Sequence, residues 1–373
     1  MRKVILITGG AGFIGSFLVD ELVKQKHTVK ILDNLEPQVH INNKIPDYLN
    51  PNVEFIRGDI RNSDDLEKCI DGTDVVFHFA SMVGVGQSMY EIGKYVDVNI
   101  TGTGRLMDTI VNSDNHVKKV IVASSMSLYG EGEYYCKKCN TSQNATRSTD
   151  QLKKRIWEPV CPKCHETLTA VGVTEEKKPE AANIYAITKK TQEDIVMNVG
   201  GAYEIPCVGL RYFNTYGPRQ SLNNPYTGVA VIFMSQIKNN QSPLIFEDGQ
   251  QTRDFVSVHD VTRANLLAMN SSKADYEVFN VGSGQKITIL ELAEKILKLQ
   301  NSSIKPHITN KYRKGDCRHC FSDITKIKRK LNFSPRISIE DGLRELIEWS
   351  KGQEAIDNVQ QAIKILKQKK MMD

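Results

Sequence analysis

Val4-Ile5-Leu6-Ile7-Thr8-Gly9-Gly10-Ala11-Gly12-Phe13-Ile14-Gly15 decides the fold of this 373-residue chain. Four apolar residues make a strand-like run, glycines at 9, 12 and 15 allow a tight turn, and Phe17, Leu18 and Leu22 continue as the apolar face of a helix. Strand, glycine turn and helix in that order let the backbone approach a pyrophosphate closely, with the free N–H groups of the helix start aimed at it. A glycine triplet alone also occurs in ordinary βα turns, so the order of the elements carries the weight.

Working outward, apolar runs at 29–32, 53–56, 75–79, 120–123 and 208–210 alternate with helical patterns. Such alternation predicts an α/β fold, a Rossmann-type doubly wound parallel sheet covered on both faces. From about residue 215 the pattern changes to Gly/Pro/Asn-rich loops such as Gly217-Pro218-Arg219, with short strands and helices. A smaller mixed α/β substrate-binding region is expected there. Near the end, Ile356, Val359, Ile363 and Leu366 stand at helical spacing before Lys367, Lys369 and Lys370. A helix packed on its own domain is favoured over a partner helix or a membrane-surface element.

The composition, 40% hydrophobic, suits a large core. Four apolar residues before Thr8 are too few for a signal-peptide core, and no run approaches a membrane span. A cytoplasmic protein with no membrane partner is expected. The net charge of +5 is too small for a general nucleic-acid binder.

Asp33 ends the second apolar run, where a carboxylate can accept from a ribose diol and repel a 2′-phosphate. That selects NAD over NADP. Asp59, in Arg57-Gly58-Asp59-Ile60, follows the third run. It is read either as an adenine-side contact or as a solvated loop aspartate.

Tyr185 and Lys189 are four apart, so one helix presents both in the same direction. An ammonium near a phenol lowers a pKa that starts at about 10 and brings it towards general-base range. Ser125, in Ala123-Ser124-Ser125-Met126-Ser127, stands just after a strand and can bond a substrate hydroxyl. Tyr-x-x-x-Lys by itself is common; the glycine turn and the serine run strengthen it.

Together these residues resemble the extended short-chain dehydrogenase/reductases, and within them the NAD-dependent nucleotide-sugar 4-epimerases. The resemblance extends through Leu32-Asp33-Asn34-Leu35, Gly58-Asp59-Ile60, His78-Phe79-Ala80, Val98-Asn99, Ser124-Ser125, Tyr185/Lys189, Arg211-Tyr212-Phe213-Asn214, Arg253-Asp254-Phe255 and Arg313-Lys314-Gly315-Asp316. It implies catalysis by Ser125, Tyr185 and Lys189. It implies cofactor contacts from Gly9, Gly12, Phe13, Ile14, Gly15, Asp33, Asn34, Asp59, Ile60, Phe79, Ala80, Asn99, Ser124, Tyr185, Lys189 and Tyr212. Ser125, Ser127, Asn214, Arg253, Arg313 and Asp316 would contact the nucleotide sugar. A homodimer is implied through helices near 99–112 and 185–199. Dehydratases and decarboxylases of the family carry acidic residues where this chain has Ser124-Ser125-Met126, which leaves oxidation and re-reduction at carbon 4. The runner-up readings are a UDP-glucose/UDP-galactose-type epimerase and a 4-keto-sugar reductase.

Between Ser125 and Tyr185 lies an insertion with Cys136-Lys-Lys-Cys139 and Cys161-Pro-Lys-Cys164. Two C-x-x-C turns 21 residues apart can supply the closed four-thiolate shell of structural zinc, with iron or a redox pair as alternatives. A zinc-ribbon-like insertion is expected. It holds Lys137, Lys138, Arg147, Lys153, Lys154, Arg155 and Lys163 against Asp150 and Glu158, an excess equal to the net charge of the whole chain. Trp157 is its single aromatic between the cysteines, which weighs against nucleic-acid binding. Cys317 and Cys320 lack a second knuckle, and Cys69 and Cys207 read as buried apolar residues. The insertion and the runs from Gln220 to Gly228 and from Phe246 to Phe255 resemble the dTDP-L-rhamnose 4-epimerase group, which implies dTDP-6-deoxy-L-talose as product.

The expected division is an NAD-binding Rossmann domain over 1–215, with the insertion at 131–180. A nucleotide-sugar-binding region follows at 216–351 and a helical tail at 352–373.

Overall fold

The computed structural model describes residues 2–40, 43–143, 145–226 and 228–372; Thr227 of the loop named above lies outside them. Strands β1 (Val4–Thr8), β2 (Thr28–Asp33), β3 (Glu54–Arg57), β4 (Val75–His78), β5 (Lys119–Ser125), β6 (Cys207–Tyr212) and β7 (Glu277–Val281) form one sheet. Its order is β7-β6-β5-β4-β1-β2-β3, with every pair parallel. The order reverses between β1 and β4, and ligands of such sheets bind beyond the carboxyl ends of the strands at that point.

The strands are near-continuous apolar runs because both faces are covered. In β1, Ile5 and Ile7 join the core on one face and Leu6 that on the other; in β5, Ile121 and Ala123 oppose Val120 and Val122. Helices Phe13–Lys24 and Val258–Asn270 cover the first face through Leu18, Leu22, Val261 and Ala264. Helices Ser63–Ile70, Gly102–Asn112 and Ile184–Ala202 cover the second through Leu66, Leu106, Ile110 and Val196. Each large aliphatic side chain so buried contributes about 1.5–3 kcal/mol.

A second core, including Phe233, Leu292, Ile296, Leu343 and Leu346, joins helices Val229–Lys238, Ile289–Leu299 and Ile339–Lys351. This is the mixed region expected after 215, but the two bodies interleave along the chain. Strand β7 extends the main sheet beside β6, and helix Thr325–Leu331 packs on the same core through Ile327 and Leu331. A cut at 215 would leave β6 as a bare edge, which β7 prevents.

The insertion centres on strand Glu133–Cys136, paired antiparallel with Thr141–Gln143 and Thr169–Val171. Its small core holds Tyr134, Cys136, Ala145, Cys161 and Leu168. Arg147 is not part of a free basic surface: its side chain is 3% exposed and paired with Glu247 at 2.7 Å and Glu131 at 3.6 Å. Lys137, Lys153, Lys154, Arg155 and Lys163 are exposed, as is Lys138, which pairs with Glu166. The terminal helix forms over Val359–Gln368. Among the described residues no helix is long and apolar enough to cross a membrane.

Candidate active site

One cavity of about 650 Å³ opens at the carboxyl ends of β1, β2, β4 and β5 and runs into the second region. Its first end is the glycine turn. Gly9 has φ +71°, and a Cβ there would stand 2.8 Å from Ala80 N; at Gly15 it would meet Gly9 O at 2.6 Å. Only glycine lets the turn pass this close to the β4 loop and lets the helix begin against it. Gly9, Gly12, Phe13, Ile14 and Gly15 all line the cavity.

Asp33 lines it too, with Oδ2 accepting from Ala11 N at 3.0 Å and Oδ1 from Leu35 N at 2.9 Å. Burial raises its pKa, opposed by the Leu35 N–H, His40 and the Ala11 N–H. Asn34, Ile60, Phe79, Ala80, Ser124 and Tyr212 line the cavity as well. The Tyr212 hydroxyl is already committed to Asn265 at 2.9 Å, so it presents its ring.

Two residues expected at the cofactor stand outside the lining. Asp59 is held by Arg61 at 2.8 Å and Asn34 at 3.0 Å, and the Arg61 hydrogen bonds keep its carboxyl down at about 2. Gly58, Ile60 and Arg61 face the cavity in its stead. Asn99 is fully buried and spends its amide on Met82 N, Met82 O and Thr188 Oγ1 at 2.7, 3.1 and 2.9 Å. It sits in a π-helical turn, Val96–Thr101, and ties the loop after β4 to the tyrosine helix.

The three residues expected to be catalytic converge. Ser125 ends β5, Tyr185 and Lys189 stand on the first turns of Ile184–Ala202, and all three line the cavity. Asn183 caps this helix by accepting from Ala186 N, and Ser88 Oγ accepts from Tyr185 N at 3.0 Å. Burial pushes the Tyr185 phenol up, opposed by its hydrogen bond with Ser125. Burial pulls Lys189 down to about 7 against the attraction of Glu193, and Lys189 Nζ donates to Gln192 Oε1 at 2.7 Å. The expected depression of the phenol by the ammonium is therefore not supplied by these side chains alone. Both groups are desolvated, and burial outweighs the Ser125 hydrogen bond at Tyr185 and the Glu193 attraction at Lys189.

Towards the second region, Ser127 donates its hydroxyl to Ser125 Oγ at 2.9 Å. Asn214, Arg253, Arg313 and Asp316 all line the cavity. Arg253 donates to the carbonyls of Cys317 at 2.7 Å and Arg318 at 3.1 Å; Arg313 pairs with Asp316 at 2.7 Å and lies over the Phe246 ring. Asn214 Oδ1 and Ser124 Oγ are buried without a hydrogen-bond partner. Orphaned polar atoms on a cavity wall are open to a partner from within the cavity.

The insertion that carries the four cysteines reaches this end through Arg147, which pairs with the lining residue Glu247. Their Sγ atoms all lie within 4.8 Å of one another, with Cys136 to Cys164 at 3.5 Å and Cys139 to Cys161 at 3.9 Å. The backbone N–H of Cys164 lowers the Cys161 thiol to about 6. Behind them Arg318, 1% exposed, binds Glu158 of the insertion at 2.5 Å together with Glu247 and Asp248. Leu152 and Trp157 pack on Tyr312, next to Arg313.

Sequence reasoning gave no role to Glu247 and the tail helix, which line the cavity, or to Gln192 and His78, which stand behind Lys189. His78 gave a signal through its motif and the tail through its apolar helical spacing.

A dinucleotide turn, a buried Ser/Tyr/Lys constellation and a polar second lobe on one cavity define an oxidoreductase-type site of the short-chain dehydrogenase class. A family model described as the NAD dependent epimerase/dehydratase family matches residues 5–282. A dTDP-L-rhamnose 4-epimerase of Burkholderia thailandensis is 32% identical over 350 residues, 93% of this chain and 94% of that protein. The solved UDP-N-acetylglucosamine 4-epimerase of Methanobrevibacter ruminantium, in complex with UDP-N-acetylmuramic acid, is 32% identical with a TM-score of 0.76, covering 95% of this chain and 99% of that one. A UDP-glucuronic acid 4-epimerase of Bacillus cereus, in complex with UDP-glucuronic acid and NAD, is 28% identical with a TM-score of 0.76, covering 93% and 99%. The chain belongs to the NAD dependent epimerase/dehydratase family, and its relatives put it among that family's nucleotide-sugar 4-epimerases.

Proposed function

We propose that the protein binds NAD and inverts carbon 4 of a nucleotide-linked hexose, with dTDP-L-rhamnose to dTDP-6-deoxy-L-talose as the favoured pair. The observation that carries this reading is the shared cavity, which joins the glycine turn, the Ser125/Tyr185/Lys189 constellation and the Arg313/Asp316 segment. Gly9 to Gly15 and Asp33 would hold the dinucleotide, and the orphaned Ser124 Oγ and Asn214 Oδ1 fit a bound ligand. When bound, NAD supplies a reversible hydride acceptor. Tyr185, bonded to Ser125, takes the proton of the carbon-4 hydroxyl and returns it after the flat 4-keto sugar has turned over. Arg253, Arg313 and Asn214 keep the nucleotide end anchored during that rotation. The absence of Asp or Glu from Ser124-Ser125-Met126 favours this over elimination or decarboxylation.

The cysteine set is read as a structural zinc site. Zn–S bonds of about 2.3 Å put tetrahedral sulfurs about 3.8 Å apart, which the distances of 3.5 and 3.9 Å bracket. The four cysteines fill a closed shell, so the ion would stiffen the insertion and take no part in catalysis. A homodimer through the helices near 99–112 and 185–199 is part of this reading, and Ile187, exposed on the second of them, is the large apolar residue that favours it.

The test is incubation with dTDP-, UDP- and GDP-linked hexoses, read by product stereochemistry and by nicotinamide absorbance. Inversion at carbon 4 with no net change in absorbance is expected. Stoichiometric loss of reduced nicotinamide would convert the reading to a reductase. The Tyr185→Phe variant should keep its NAD and lose about 10²–10⁴ of turnover.

A further inference from the structure

The terminal helix Val359–Gln368 contributes Val359, Ala362, Ile363 and Leu366 to the cavity wall. Both of its ends are tied to segments that also line that cavity. Before the helix, Ile356 N donates to Asn223 Oδ1 at 2.7 Å and Asn358 Nδ2 to Asn223 O at 2.8 Å, beside the lining residues Asn224, Pro225 and Tyr226. Beyond it, Lys314 N donates to Met371 O at 3.1 Å, and Arg313 bridges Met372 in antiparallel fashion. The tail thus spans from the Asn224 loop to the Arg313 segment.

In between, Leu366 is 5% exposed and lies on the turn after β4: a Cβ at Gly86 would meet Leu366 at 3.4 Å and the Tyr226 ring at 3.9 Å. Two residues further on, Ser88 accepts from the N–H of Tyr185. The tail therefore roofs the part of the cavity that borders the tyrosine helix. Val83, Val85, Met89, Tyr226, Ile363 and Leu366 give it carbon-rich walls. Lys364 and Lys367 are exposed and outside the lining, so this helix brings no cation to the cavity.

We propose that residues 356–372 are a substrate-recognition strap, in which Ile363 and Leu366 form the apolar roof of the hexose subsite and select sugars with an uncharged carbon 6. The inference rests on the proposed function, because it takes the ligand of this cavity to be a nucleotide sugar. A 6-methyl or 6-hydroxymethyl group loses little against such a roof. Against this roof a 6-carboxylate would surrender its hydration with no cation of the helix to replace it, since the lining cations, Lys94, Arg219, Arg313 and Lys314 among them, stand on other segments, and burying an unpaired charge is heavily penalised.

The experiment is calorimetric binding to NAD-loaded, full-length protein of dTDP-L-rhamnose, UDP-glucose and UDP-glucuronate, each compared with its parent nucleoside diphosphate. The wild-type protein should bind the uronate at least about tenfold more weakly than the uncharged sugars, the size a shaped apolar subsite gives. Leu366→Arg should erase most of that preference, weakening the uncharged sugars about tenfold while leaving bound NAD and diphosphate affinity unchanged. If Leu366→Arg fails to retain NAD, Ile363→Ser is read instead. Its uncharged-sugar affinity should fall about tenfold with diphosphate binding intact. Wild-type binding of all three sugars without discrimination overturns the strap and leaves the epimerase reading standing, as does a variant with unaltered sugar affinity. Wild-type protein that retains NAD and binds no sugar nucleotide overturns both.

Discussion

Lys189 Nζ donates to Gln192 Oε1 at 2.7 Å, and the Gln192 amide continues to His78 Nε2 at 3.1 Å and Thr103 Oγ1 at 2.9 Å. His78 in turn reaches Thr8 Oγ1 at 2.8 Å, so a buried polar chain connects the end of β1 to the tyrosine helix. His78 is pushed down to about 3 by burial and then by the Lys189 charge, and stays neutral at ordinary pH. The ammonium is thus held in register by neutral hydrogen-bond partners, and the attraction of Glu193 does not repay its desolvation.

That arrangement has a thermodynamic signature. The folded pKa of Lys189, about 7, lies below its unfolded value, so from pH 7 to about 10.4 the unfolded chain binds more protons and stability rises with pH. Replacing the group removes a penalty that is largest below pH 7. Lys189→Met should stabilise the cofactor-free protein by a few kcal/mol at pH 7. Urea unfolding at pH 7 and 9.5 should show the gain shrinking at the higher pH, while turnover is lost at both. A gain that grows with pH would mean that the lysine is stabilised by burial, contrary to this reading.

The glycine turn offers a steric comparison. At Gly9 the backbone has φ +71° and an added Cβ would lie 2.8 Å from Ala80 N, whereas at Gly12 the nearest atom is Gly9 O at 3.3 Å. Gly9→Ala should cost about 2–4 kcal/mol, from the left-handed backbone and the clash together, and should abolish NAD retention. Gly12→Ala should fold normally and weaken NAD alone. Thermal unfolding and the nicotinamide content of the purified proteins separate the two effects. Equal melting temperatures for both variants would contradict the turn geometry.

A third expectation concerns Arg318, whose guanidinium is enclosed by Glu158, Glu247 and Asp248. Arg318→Met leaves the 5%-exposed Glu247 carboxylate short of one of its two cations, the other being Arg147. Removing one partner of a buried ion network costs about 3–5 kcal/mol, which denaturant titration would read directly. Acid should act on the same joint. Burial raises the Glu158 pKa, but hydrogen bonds from His319 and Arg318 outweigh it and hold the group at about 2. Its support is present above the ordinary carboxylate pKa and is lost as pH falls from about 4 towards 2.

The parts legible in the sequence were those written in local periodicity. Six strands of the main sheet stand where the apolar runs lie, Tyr185 and Lys189 share one helix as their spacing implied, and the glycine turn and Ser125 line the same cavity. β7 was hidden because Glu277-Val278-Phe279-Asn280-Val281 gains its meaning only from pairing with β6, some 70 residues away. Asp59 and Asn99 carry the family's motif yet are held elsewhere: Asp59 by Arg61 two residues on and by Asn34, and Asn99 by the backbone of Met82, 17 residues before it. Arg147 looked like surface charge because its partners, Glu131 and Glu247, are brought to it by the folded insertion.

The cysteine insertion yields the last prediction. Four sulfurs within 4.8 Å repel one another as thiolates unless a cation joins them, so the purified protein should carry about one zinc per chain by elemental analysis. Cys161→Ser with Cys164→Ser should remove it. The strain then passes along two contacts: Glu158 to Arg318, which braces Glu247 and Asp248, and Trp157 to Tyr312, which braces Arg313. No described residue among Gly9 to Gly15 or Asp33 belongs to either contact, so NAD retention should be preserved. The KM for the nucleotide sugar should rise about tenfold, with kcat changed less, because a misplaced diphosphate anchor weakens binding before it disturbs Ser125 and Tyr185. A metal-free variant with unaltered KM would detach the insertion from substrate binding and leave it a purely structural appendage.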